Sequence, residues 1–97
     1  MEQHNSDNTL TIELEKRIIN WIESTCKELV EYPNEIEIKT EKKIKGNGRT
    51  LIVMINCNDK DNGKLIGKHG EVISAIRRIT VSMLGTLNKR INILVMD

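Results

Sequence analysis

Apolar residues fall at Leu14, Ile18, Trp21, Ile22 and Leu29, in steps of three and four that gather them on one face of a helix. This spacing predicts an amphipathic helix over Leu14–Val30. Its start is open, because TLTIELE alternates like a strand while Thr9 or Thr11 can cap a helix. Its end is firmer, since Tyr32 precedes Pro33 and is pushed out of the helical region. EIEIKT then alternates strictly, with Ile36 and Ile38 on one face, as a half-buried strand does. KGNGRT holds Asn47-Gly48, a hairpin signal because both central residues of that turn need positive φ. LIVMI is apolar on both faces and reads as a central strand.

NDKDNG punctuates next, and Asn58 or Asp59 is placed to cap a short helix ending near Ile66. After Gly67-Lys68-His69-Gly70, the residues Val72, Ile73, Ile76, Ile79, Thr80, Met83 and Leu84 mark a further amphipathic helix, with Gly85 as its stop. INILVMD closes the chain as a strand. The order is α-β-β-α-α-β, an α+β fold in which a three-stranded sheet carries its helices on one face. Residues 1–9 are polar and read as a disordered tail, leaving 10–97 as a single domain.

Composition narrows the classes. Ile, Leu and Val are plentiful enough for one modest core, but Trp21 and Tyr32 are the only aromatic residues. A nucleic-acid module built on aromatic platforms is therefore excluded. The longest apolar run, Leu51–Ile55, is far short of the roughly 20 residues of a membrane span. The opening MEQHNSDNT has neither the basic flank nor the apolar stretch of a secretion signal, so a soluble cytoplasmic protein is expected. Cys26 and Cys57 form no Cys-x-x-Cys pair, and His4 and His69 stand apart, so neither a metal site nor another cofactor is expected. No Ser/His/Asp or Cys/His arrangement is brought together by the sequence, and an enzyme is not expected.

The net charge of +1 conceals a division. Three basic residues face seven acidic ones up to Glu31, whereas twelve face seven from Tyr32 onward. Lys60, Lys64, Lys68, Arg77, Arg78, Lys89 and Arg90 concentrate this excess around the glycine pair.

GKLIGK, Gly63–Lys68, resembles a nucleoside-triphosphate loop only superficially. It has three residues between its glycines instead of four, and His69 where magnesium needs a hydroxyl. GNGRTL lacks the third glycine of a dinucleotide fingerprint and lies between strands. Two readings of Gly67 and Gly70 remain. In one they merely join two helices at a sharp angle, in a protein–protein module. In the other they keep Cβ atoms away so that a sugar–phosphate backbone can approach, while Lys68 and the amides opening the next helix supply positive charge.

LIGKHGEVI resembles the core motif of KH domains, an aliphatic pair followed by Gly-x-x-Gly and two further residues before an Ile. The element order resembles the type II KH arrangement, and NKRINILVMD is similar to the last strand of the small bacterial single-KH, KhpA-like family. The resemblance spans about Leu14 to Met96, and the N-terminus is roughly a dozen residues longer than that family leads one to expect. It implies a groove between Gly-x-x-Gly with its flanking helices and the central strand, holding about four nucleotides of single-stranded RNA. Gly67 and Gly70 would admit the backbone, with Lys68 and His69 on phosphates. Ile66, Val72 and Ile73 would form an apolar floor, unless Val72 or Ile73 is core. Of Arg77 and Arg78, at most one should face the groove, and Arg77 is the candidate. The resemblance also implies an RNA chaperone that forms a homodimer or pairs with another KH-domain protein.

Overall fold

The computed structural model describes residues 2–45, 48–85 and 89–96. Helix α1 (Glu2–Leu29) leads through a turn at Pro33–Glu35 to strands β1 (Glu37–Lys45) and β2 (Gly48–Asn56). A turn at Asp59–Asp61 opens the short helix α2 (Asn62–Ile66), and Lys68–Gly70 connects it to α3 (Glu71–Leu84) before β3 (Lys89–Val95). The α-β-β-α-α-β order expected from the sequence is the one observed.

The sheet order is β1-β2-β3, so the apolar LIVMI run is central as expected. β1 and β2 are antiparallel, pairing from Glu37 opposite Asn56 to Lys45 opposite Gly48. The Asn47-Gly48 turn involves a position outside the described residues. β2 and β3 are parallel, with Leu51 beside Ile91 and Val53 beside Ile93. A parallel pair needs a crossover, and α2 with α3 supplies it.

Alternation then sorts the strands. Leu51, Val53, Ile55, Ile91 and Ile93 are buried beneath the helices, where they meet Ile18, Ile22 and Cys26 of α1 and Ile73, Ile76 and Leu84 of α3. All helices thus serve one face. On the other face Lys39, Glu41, Lys43, Asn92 and Leu94 are exposed, with Ile52 and Met54 half-buried between them.

Two elements outrun their sequence signals. β1 continues through Lys45 because the backbone of its charged residues finds partners along β2. α1 begins at Glu2, so the stretch expected as a tail continues the helix. A helix already nucleated extends by one hydrogen bond per residue without repeating the nucleation cost.

Candidate nucleic-acid interface

The glycine loop is built by two hydrogen bonds and three unusual backbone angles. The Gly67 amide donates to Gly63 O at 2.8 Å, closing α2, and the Gly70 amide donates to Gly67 O at 3.1 Å. Gly67 (φ 79°), His69 (φ 56°) and Gly70 (φ 75°) all lie at positive φ. His69 is the only non-glycine residue with positive φ among those described, and this region is uncommon for residues carrying a Cβ. The turn throws Lys68 and His69 outward, where both are exposed.

Gly70 is the N-cap of α3 and has no side chain to cover the amides that follow it. The Glu71 amide donates to Lys68 O, and beyond it a 14-residue helix opens without a capping side chain, with partial positive charge directed out of the loop. A Cβ on Gly70 would meet nothing within 4 Å, whereas one on Gly67 would collide with Val72.

The candidate residues do not all face the same way. Ile66 is exposed at the rim, 37% accessible, beside the loop. Val72 is half-buried beneath Gly67 and packs on the core. Ile73 is a core residue at 6% exposure, aligned with Ile76, Thr80 and Leu84 on the inward side of α3, so it does not line an open floor. Arg77 is exposed and reaches across to β3, where Nη2 donates to Ile93 O at 3.0 Å. Arg78 is also exposed, one residue round the helix. Of the two arginines, Arg77 has the bond that places it in the crevice between α3 and β3.

Sequence reasoning missed the acid that anchors the start of α2. Asp61 is fully buried, and its two carboxylate oxygens accept from the amides of Glu31 and Tyr32, each at 3.0 Å. Lys64 of α2 lies 3.7 Å away. Burial by itself would raise the pKa of Asp61. The two amide bonds and Lys64 outweigh it and hold the carboxyl below its ordinary value. Asp61 thereby ties the exit of α1 to the entry of α2. Asn58, one of the two expected caps, accepts from the Lys60 amide at 2.9 Å.

Among the described residues no group of three or more His, Cys, Asp or Glu side chains is placed to hold a metal ion. No helix among them is long and apolar enough to cross a membrane. Cys26 is buried and Cys57 half-buried, neither in a disulfide, and the Cys57 thiol donates to Asn62 Oδ1 at 2.9 Å.

The family model described as KhpA/KhpB, KH domain, matches residues 20–95, which takes in the loop, α3 and all three strands. The chain belongs to this KH-domain family. It is 37% identical over 71 residues to the RNA-binding protein KhpA of Chlamydia pneumoniae, a match covering 73% of this chain and 86% of that protein. It is 39% identical over 71 residues to KhpA of Oceanobacillus iheyensis, covering 72% and 88%. KhpA of Lactiplantibacillus plantarum is 35% identical over 69 residues, covering 71% and 76%. No solved structure matches the chain. The KhpA/KhpB match starts within α1, so the first turns of that helix lie outside it.

Proposed function

We propose that this protein binds single-stranded RNA, holding about four nucleotides between the Gly67–Gly70 loop, α3 and the outer edge of β3, in place of the central strand expected as the wall, since β2 has a neighbour on each edge. The observation that carries the reading is the outward turn of Lys68 and His69 at the uncapped N-terminus of α3, in a chain of the KhpA/KhpB family. Phosphates would lie against Lys68, His69 and the uncapped opening of α3. Gly70 leaves their path clear. Ile66 offers apolar surface at the rim, and Arg77 stands in the crevice where bases would be read. Val72 and Ile73 support the loop from beneath.

One groove with a few cations predicts weak binding, on the order of 10⁻⁴ to 10⁻⁶ M at physiological salt. Pairing with a second KH chain, either another copy or a different protein, would place two grooves on one strand and raise avidity. An RNA-chaperone role fits such shallow, reversible binding.

Replacing Lys68 and His69 together with Asp tests the site. Both side chains are exposed, and Asp is among the residues that tolerate positive φ, so the fold should persist. A charge-assisted hydrogen bond to phosphate is worth roughly 1.5–3 kcal/mol, so affinity for single-stranded RNA should fall at least about tenfold. Unchanged affinity in the folded variant would favour the alternative, a protein–protein module whose glycine loop is only a turn.

A further inference from the structure

The crevice between α3 and β3 continues past the glycine loop. α3 has 14 residues and so runs about 21 Å from the glycine loop to its other end. β3 returns alongside it in the opposite direction. Past Arg77 and Ile93 the crevice opens into a cleft of about 280 Å³ between Val81 and Gly85 on one side and Arg90 and Asn92 on the other.

Basic residues of β2 and β3 meet at that end. The register sets Lys43 opposite Thr50 and Thr50 beside Arg90, making one row across the sheet. Arg49 and Lys89 are paired in the next row, and Lys45 pairs with Gly48 at the hairpin end. Arg49 and Arg90 line a common small cavity whose only acid is Glu15, and Glu15 is ion-paired with Lys42 at 3.4 Å. Among the described residues, no carboxylate lies within salt-bridge distance of Lys43, Arg49 or Arg90. Arg90 lines both the cleft and the cavity, which puts it at the end of the crevice nearest Arg49.

We propose that Arg49 and Arg90 form a second RNA-binding surface, taking phosphates of the strand after it leaves the crevice. It rests on the RNA-binding reading above and extends it, since the preferred ligand becomes a single strand well beyond four nucleotides. Base identity plays no part here, because a cluster of cations reads phosphate and nothing else.

Random-sequence single-stranded RNA of four and of twelve nucleotides separates the two surfaces. Arg49→Glu with Arg90→Glu should weaken twelve-mer binding at least tenfold and four-mer binding less than twofold. The twelve-mer's slope of log K against log salt should shrink by about 1.4, the value for two phosphates on a single strand. Lys16→Glu with Arg17→Glu, exposed on α1, makes the same change in net charge and should cost the twelve-mer less than threefold. Should the double glutamate variant misfold, Arg49→Gln with Arg90→Gln should give the same length-dependent loss in smaller measure. Equal losses for both lengths, or equal losses in the α1 control, would overturn the proposal. So would an unchanged twelve-mer affinity, which would leave an acidic protein as the partner for this surface. If the wild type binds neither length, the RNA-binding reading itself fails and this second surface falls with it.

Discussion

A Cβ on Gly67 would lie 2.5 Å from Cγ2 of Val72 and 2.7 Å from its backbone nitrogen, so the loop's first glycine is packed against the helix it introduces. Gly70, three residues on, has open space around it. The two glycines therefore answer different needs: Gly67 permits a close approach within the fold, and Gly70 combines a left-handed backbone with an uncovered helix end.

Substitution should separate these needs. Gly70→Ala places a Cβ in the left-handed region at a cost of about 1–2 kcal/mol and should still fold. Gly67→Ala incurs backbone strain of about 1–3 kcal/mol and adds the collision with Val72, so urea unfolding should show the larger loss. Adding Val72→Ala to Gly67→Ala should recover only part of it, because the backbone nitrogen stays in place. Equal stability of the two single variants would contradict this division.

Arg77 should matter for stability as well as for RNA. Arg77→Ala removes its bond to Ile93 O and should cost about 0.5–1.5 kcal/mol in chemical denaturation. RNA affinity should fall in the same variant. Stability loss with RNA affinity intact would make Arg77 a brace between α3 and β3 and remove it from the RNA site.

Asp61 gives a pH signature. Its folded-state pKa lies below the ordinary value of 3.8, so its stabilisation is complete above that value and is lost as pH falls through the folded-state pKa. Asp61→Asn should lower the melting temperature at pH 7. The gap to wild type should hold between about pH 7 and 5 and narrow only below about pH 4. A gap that closes near neutrality would assign the effect to another group.

Burial, with the neighbouring Cys57 thiol adding to it, pushes the Cys26 thiol up to about 11. Only the thiolate reacts with iodoacetamide, so Cys26 should resist alkylation at pH 8 until the protein is unfolded in urea. Mass spectrometry of digested protein reads this directly. Rapid labelling of Cys26 in the native state would show that α1 opens away from the core.

Most of the fold was legible because its signals are local. Apolar spacing at Ile73, Ile76, Thr80 and Leu84 marks α3 and its inward side. The continuous LIVMI run marks the strand that has neighbours on both edges. What stayed hidden depends on distant partners. Among the acids of NDKDNG, only the amides of Glu31 and Tyr32, about thirty residues away in sequence, select Asp61 for burial. That Arg77 and not Arg78 bonds to β3 likewise depends on Ile93, on another element. Val72 and Ile73 are adjacent apolar residues, and sequence alone leaves open which of them is core. The structure seats Val72 beneath Gly67 and sends Ile73 fully into the core.

The parallel pairing of β2 with β3 sets an order of events in folding. β1 and β2 are neighbours in sequence and can zip as a hairpin within about 1–10 μs. Arg49 and Lys89, by contrast, meet across forty positions, and they can do so only after the intervening helices have folded back over the sheet. β3 is one wall of the crevice beside α3, so that wall is the last to be raised. During synthesis the glycine loop leaves the ribosome before β3 does, and for that interval the chain carries the motif without the groove. On the proposed reading of the groove, capture of RNA begins only when the final strand has docked.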